Sequence, residues 1–266
     1  MKSILKLCSV LFIAGIAFTS CKKNTANSPD AISEETLSKI YAQGFGITNV
    51  QKIEEGYLVE GDIVLTEEFI NQTPGGNFLR IANNEQYRTT NLVNQNRTIT
   101  IALDSKLAAK AGYPEALAEV AARYNALNLT LTFQVVASGA NITYVEGHGQ
   151  YLASAGFPTG GNPYGTVKVN AQSIGTGTSS TFINFLATIL AHEGGHCIGM
   201  RHTDYMDRSY SCGGSYANEG ASNVGAVLIP GTPSGPDAGS WMLACVSRNQ
   251  NRPFNANDKT ALQYLY

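Results

Sequence analysis

The sequence predicts an α+β fold: a twisted mixed sheet of about four or five strands with a backing helix, a second long helix, and an irregular lower half that closes on a helix. Three observations carry this expectation. Apolar residues alternate with period two in several short runs between Thr98 and Val169, two helical stretches interrupt or follow those runs, and the last third is rich in Gly, Ser and Asn.

Taken in order, Glu34 to Gln43 has a short helical pattern, and Tyr57, Val59, Ile63 and Leu65 form a strand-like run. The Pro/Gly/Asn-rich stretch Thr73 to Asn84 then reads as a boundary. From Thr98, Ile99, Ile101 and Leu103 alternate with polar or small neighbours as a half-buried strand. Pro114 opens an amphipathic helix with Leu117, Val120, Ala121 and Tyr124 on its buried face. Leu129 to Val135 is a second strand, Ile142 to Val145 a third, and Thr166, Val167, Lys168 and Val169 a fourth. Ser179 or Ser180 can cap a long helix that starts near Thr181.

Composition narrows the class of function. The chain has 266 residues, 43% of them apolar, which is ample for a buried core. A net charge of -2, with Lys and Arg scattered, offers no basic stripe for nucleic acid. Lys2 and Lys6 precede an apolar stretch from Leu7 to Phe18 that is too short to span a bilayer, so residues 1–20 read as an export signal. Phe18-Thr19-Ser20-Cys21 resembles a bacterial lipobox, with Phe18 in place of the usual Leu. Acylated Cys21 and the polar tether 21–30 would then hold the protein in the cell envelope through the membrane. Cys197, Cys212 and Cys245 fit one disulfide and one free thiol in an oxidising compartment, without fixing which two pair. A monomer is expected.

The chemistry is concentrated in Leu190 to His202, which contains H-E-x-x-H-x-x-G-x-x-H without a gap. His192 and His196, four residues apart on a helix, lie about 40° from one another around the axis, so both imidazoles can meet one ion. Gly199 can take a positive φ that ends the helix and returns His202 to the same ion. Three neutral imidazoles with one open position describe a catalytic site for one Zn2+ ion, whose bound water is acidified to a pKa of about 7. Glu193 is placed to act as general base toward that water. The short H-E-x-x-H pattern arises by chance on many helices; the added Gly and third His, a rare residue, make coincidence a poor account.

This extended pattern resembles the metzincin zinc peptidases, and its wording is most similar to the HEIGH-type bacterial peptidases, although Gly194 replaces the Ile of that name. The resemblance covers about residues 92 to 266. It implies a metalloendopeptidase acting on protein or peptide substrates, with Ser240-Trp241-Met242-Leu243 as the methionine turn, Met242 as the hydrophobic floor under the zinc, and residues 257–265 as the closing helix. It also implies that Thr166, Val167, Lys168 and Val169 are the edge strand that binds substrate by backbone pairing. Astacin-like members carry a Tyr two residues after the turn methionine; Ala244 stands there, and Tyr205, Tyr210 and Tyr216 remain as candidates to assist the oxyanion.

Val59-Glu60-Gly61-Asp62 resembles the F-x-G-D segment of astacin propeptides, with Val59 in the place of Phe. The resemblance implies that Asp62 takes the open zinc position, that residues 31–88 are a propeptide to a catalytic domain 89–266, and that cleavage near Arg88 to Asn96 sheds the active enzyme. An ordinary Gly-Asp turn between strands is the alternative. For the whole chain, the alternative to an endopeptidase is a surface-anchored peptide-binding module with zinc but no turnover.

Overall fold

The computed structural model describes residues 32–72, 86–218, 226–233 and 236–266. The expected export signal 1–20, Cys21 and the tether 21–30 lie outside the described residues. Residues 32–266 cluster as one unit.

Ser33 accepts from the backbone of Thr36 and caps α1 (Glu34–Ala42). The run read as one strand is a hairpin. β1 (Gln51–Ile53), β2 (Gly56–Val59) and β3 (Ile63–Leu65) form an antiparallel sheet in that order, followed by α2 (Glu67–Ile70). Glu60 and Gly61 turn between β2 and β3 at φ of 54° and 92°, left-handed values that Gly61 adopts without a Cβ clash. Ile40, Phe45, Val59, Ile63, Leu65 and Phe69 pack as a small second core, to which Phe157 of the main body is the bridge.

The main body begins with β4 (Tyr87–Arg88) and β5 (Arg97–Leu103), then α3 (Ser105–Ala108) and α4 (Tyr113–Asn125). β6 (Leu131–Val135), β7 (Ile142–Glu146), β8 (Ala153–Ser154) and β9 (Thr166–Val169) complete a five-stranded sheet of order β6-β5-β7-β9-β8. Its first four strands are parallel and β8 is antiparallel to β9. Ile99 pairs with Phe133, Ile101 with Ile142 and Tyr144 with Val167, so the alternating apolar residues form one face. That face shares a core with Leu117, Val120 and Tyr124 of α4 and Leu186 and Leu190 further on.

This topology corrects one expectation. Thr166–Val169 is internal, with β7 on one side and β8 on the other; the edge belongs to Ala153–Ser154. Two residues are too few to give an alternation that sequence could reveal.

After α5 (Ala171–Ile174), Ser179 accepts from the backbone of Phe182 and caps α6 (Ser180–Ile198). The lower half holds α7 (Ser209–Cys212), β10 (Val227–Leu228) and α8 (Ala256–Leu265), which starts with a capping box between Asn255 and Asp258. A disulfide joins Cys212 to Cys245 and leaves Cys197 free and buried. β4 pairs with β10, Tyr87 O accepts from Arg201 N, and Thr89 N donates to Gly199 O. Thr89 and Val93 are buried. A cut between Arg88 and Val93 would therefore fall in packed backbone, part of which braces the stretch around Arg201, whereas Asn94, Gln95 and Asn96 are exposed.

Candidate metal centre

α6 carries His192, Glu193 and His196 on a helix buried along its last fourteen residues. Gly199 ends it at φ 112°, and a Cβ there would stand 2.7 Å from Asn91 O. Met200 N bonds back to Gly195 O at 2.9 Å, and the chain turns so that His202 comes back beside His196. Asp62, at the β2–β3 turn, completes the group: one ligand atom from each of Asp62, His192, His196 and His202 lies within 4.8 Å of the others.

The imidazole orientations are fixed from outside the group. His192 Nδ1 faces Trp241 O at 2.9 Å and His196 Nδ1 faces Met200 O at 2.8 Å, so each ring donates through Nδ1 and turns Nε2 inward. His196 and His202 Nε2 atoms are 3.2 Å apart, and Asp62 Oδ2 lies 3.2 Å from His202 Nε2 and 3.8 Å from His192 Nε2. His192 Nε2, Asp62 Oδ1 and Glu193 Oε2 are buried with no hydrogen-bond partner among the described residues. Buried polar atoms without partners are costly, and His192 and Asp62 belong to the cluster whose ligand atoms lie close enough together for a cation between them to satisfy them. Imidazole nitrogens with a carboxylate oxygen are a competent donor set for a divalent transition metal.

Burial drives Glu193 well above the usual carboxylate range; the charge of Asp62 adds to this and His202 opposes it. Burial also works to raise Asp62, but the surrounding histidines override it and hold its carboxyl well below the ordinary value.

Beneath the group, Met242 is fully buried, and a Cβ on Gly195 would come within 2.6 Å of its Sδ. Asp258 fixes the Met242 turn. Its carboxylate accepts from Ser240 Oγ at 2.8 Å, Trp241 N at 3.2 Å, Gln86 Nε2 at 2.7 Å and Asn255 N at 3.0 Å. Trp241 Nε1 and Tyr124 Oη both donate to Ala191 O, and Tyr144 Oη donates to Leu190 O, so the turn of α6 before His192 is held by three side chains.

The profile of the family described as dual-action HEIGH metallo-peptidase matches residues 57–266. The chain belongs to the HEIGH metallopeptidase family. The match begins at Tyr57, so it takes in β2, β3 and Asp62 as well as the body. In this HEIGH metallopeptidase the central Ile of the motif is Gly194, and Tyr144 Oη and Tyr124 Oη stand 3.2 and 3.6 Å from where its Cβ would be. Two myroilysin structures are similar at 16% identity, one with a TM-score of 0.42 covering 66% of this chain and 82% of its own, the other with 0.39 covering 64% and 83%. A GM1-bound form of the ECX AB5 holotoxin is similar at 14% identity and a TM-score of 0.38, covering 63% of this chain and 77% of its own. No curated protein matches the chain.

Sequence reasoning singled out all four residues of the cluster and Glu193. It missed Arg201, whose fully buried guanidinium pairs with Glu60, donates to Gly44 O at 3.1 Å and stacks 4.4 Å from the Phe45 ring centroid. It missed Asp258 and Arg252 as well. Of the three tyrosines kept for an oxyanion role, Tyr210 and Tyr216 are exposed, with Tyr210 Oη donating to Pro236 O, and the ring of Tyr205 packs on Tyr87.

Proposed function

We propose that this metallopeptidase is a zinc-dependent endopeptidase of protein or peptide substrates, kept silent in the full chain by its own residues 31–88. The observation that supports it best is the meeting of the ring nitrogens of His192, His196 and His202 in one cluster, with the buried carboxylate of Glu193 next to the first of them on α6. His192, His196 and His202 would hold the ion, and imidazole donors favour zinc. When bound, zinc supplies Lewis acidity to a carbonyl oxygen and to the attacking water.

Glu193 moves the proton. Its burial and the neighbouring negative charge raise its affinity for a proton, so it takes one from the nucleophile and returns it to the leaving amine. Burial of His192, His196 and Glu193 keeps competing water away. Substrate pairs along the edge at β8. In the full chain the extension uses that edge: Ala155 N donates to Asp62 O at 2.9 Å and Val64 N to Ala155 O at 2.6 Å. Asp62 therefore sits in the cluster on backbone anchored as a substrate strand would be, and this supports a latch. Residues 1–30 add export and an envelope lipid anchor at Cys21; acyl labelling lost in Cys21→Ser tests that part.

The deciding experiment compares zinc-loaded full chain, Asp62→Ala and Asp62→Ala/Glu193→Ala on a denatured protein. Cleavage by Asp62→Ala that the double variant loses supports the peptidase. An Asp62→Ala chain that binds one zinc and cuts nothing would move the chain to a peptide-binding module.

A further inference from the structure

Beside the metal cluster lies a cavity of about 250 Å³, with His192 and Glu193 on one wall and Gly61 and Asp62 of the extension on another. Two cationic side chains, Arg208 and Arg252, also line it. A side chain inserted here belongs to a residue at or next to the bond that Glu193 acts on.

Arg252 is set in place by neutral groups. Its backbone N donates to Thr188 Oγ1 at 2.9 Å, Nη1 to Cys245 O at 3.1 Å and Nη2 to Gln250 Oε1 at 3.2 Å. The residue is only 7% exposed, its Nε is buried without a partner, and no carboxylate among the described residues lies at ion-pair distance from it. Burial lowers its pKa, and Asp204 and Asp258 oppose this only from farther away. An arginine keeps its charge in such a place, and a buried cation without a counter-ion is costly. The docked extension does not supply the counter-ion. Its Asp62 lies at 3.2 Å from His202 Nε2 and 3.8 Å from His192 Nε2, not at ion-pair distance from Arg252, and its Gly61 abuts Arg208, where a Cβ would come within 3.2 Å of Nη1.

We infer that this cavity is the specificity pocket of the proposed peptidase and that it selects a carboxylate, which Arg252 binds beside the scissile bond. The inference rests on the peptidase reading for its biological meaning. The carboxylate can come from an Asp or Glu side chain within a polypeptide or from a free chain terminus; both present the same group to the guanidinium.

The test uses zinc-loaded full chain carrying Glu60→Ala, Asp62→Ala and Glu193→Ala, which loses both the pair to Arg201 and the carboxylate in the cluster and does not cut. Calorimetry compares three peptides of equal length: one with a central Asp and an amidated end, its Asn counterpart with an amidated end, and the Asn peptide with a free end. At least one carboxylate peptide is expected to bind roughly tenfold to a hundredfold tighter than the neutral one. Arg252→Gln removes that advantage and Arg252→Lys restores part of it. Advantage in the first peptide assigns a side-chain carboxylate, and advantage in the third a chain terminus. Equal or absent binding of all three, or an advantage that survives Arg252→Gln, overturns the inference. Should Arg252→Gln fail to fold, the ratio in the Arg252→Lys chain decides, since a pocket indifferent to the guanidinium leaves it unchanged. In parallel, Asp62→Ala chain digests a protein mixture and the new termini are sequenced. No cleavage with carboxylate-dependent binding intact sinks the peptidase reading alone; cleavage with no acidic bias and no carboxylate-dependent binding sinks the pocket alone.

Discussion

Nη2 of Arg201 donates to both carboxylate oxygens of Glu60, at 2.7 and 2.6 Å, joining the residue before His202 to the turn that carries Asp62. Both side chains are buried. The pair sets the register of the extension on the cluster, because Glu60 precedes Asp62 by two residues.

Removing one partner of a buried ion pair leaves the other charge uncompensated, at a cost of about 3–5 kcal/mol. Glu60→Ala is therefore expected to weaken docking of the extension until Arg201 can reach water. Amide hydrogen exchange in residues 56–65 should quicken strongly while α4 and α6 keep their protection. Unchanged exchange in that hairpin would show that the pair does not hold the extension.

Asp62 tests the latch from its other end. A latch worth about 3 kcal/mol leaves roughly 1% of molecules competent, so Asp62→Ala in the full chain should raise turnover roughly a hundredfold. Zinc stoichiometry should stay at one per chain, because three imidazoles remain. Turnover that rises neither in Asp62→Ala nor in Asp62→Ala/Glu60→Ala removes the latch and keeps the ligand set.

What could be seen in advance was what is local in sequence. His192, Glu193 and His196 share one helix, and Gly199 brings back His202 within a few residues, so spacing alone placed them. The strands of the sheet were visible because alternation at Ile99, Ile101, Leu131 and Phe133 survives as a burial pattern. Asp62 was reached only by resemblance, since nothing in the run Tyr57 to Leu65 marks a hairpin apart from Gly61. Arg201 and Glu60 are 141 residues apart, and Gln86 and Asp258 172; no period connects such partners. The disulfide stayed open for the same reason, and the structure closes it as Cys212–Cys245 because Cys197 is buried on α6.

Gly195→Ala separates helix propensity from packing. On an open helix the change would stabilise by about 1 kcal/mol. Here the new Cβ would lie 2.6 Å from Met242 Sδ and 3.1 Å from Trp241 Cζ2, both fully enclosed. Overpacking of this kind costs about 1–3 kcal/mol, so the net effect should be destabilising, with weaker zinc binding as the floor shifts away from His192 and His196. A melting temperature equal to or above that of the parent would mean the methionine floor yields freely.

Asp258 gives the turn a pH dependence. Burial raises its carboxyl to about 6, although the donors from Asn255, Ser240, Trp241 and Gln86 pull the other way. Because the folded pKa lies above the unfolded value of 3.8, the native state binds the proton more tightly than the unfolded chain. The stability linked to this group is full below about pH 4 and is lost as pH rises through about 6. Asp258→Asn does not titrate there. The unfolding free energy of the parent minus that of the Asn variant should therefore fall between pH 4 and pH 7, by on the order of 3 kcal/mol for a shift of about two units. Denaturant titrations of both chains across that range measure the difference directly. A flat difference would place Asp258 at an ordinary pKa and leave its four donors as the whole of its hold on Trp241 and Met242.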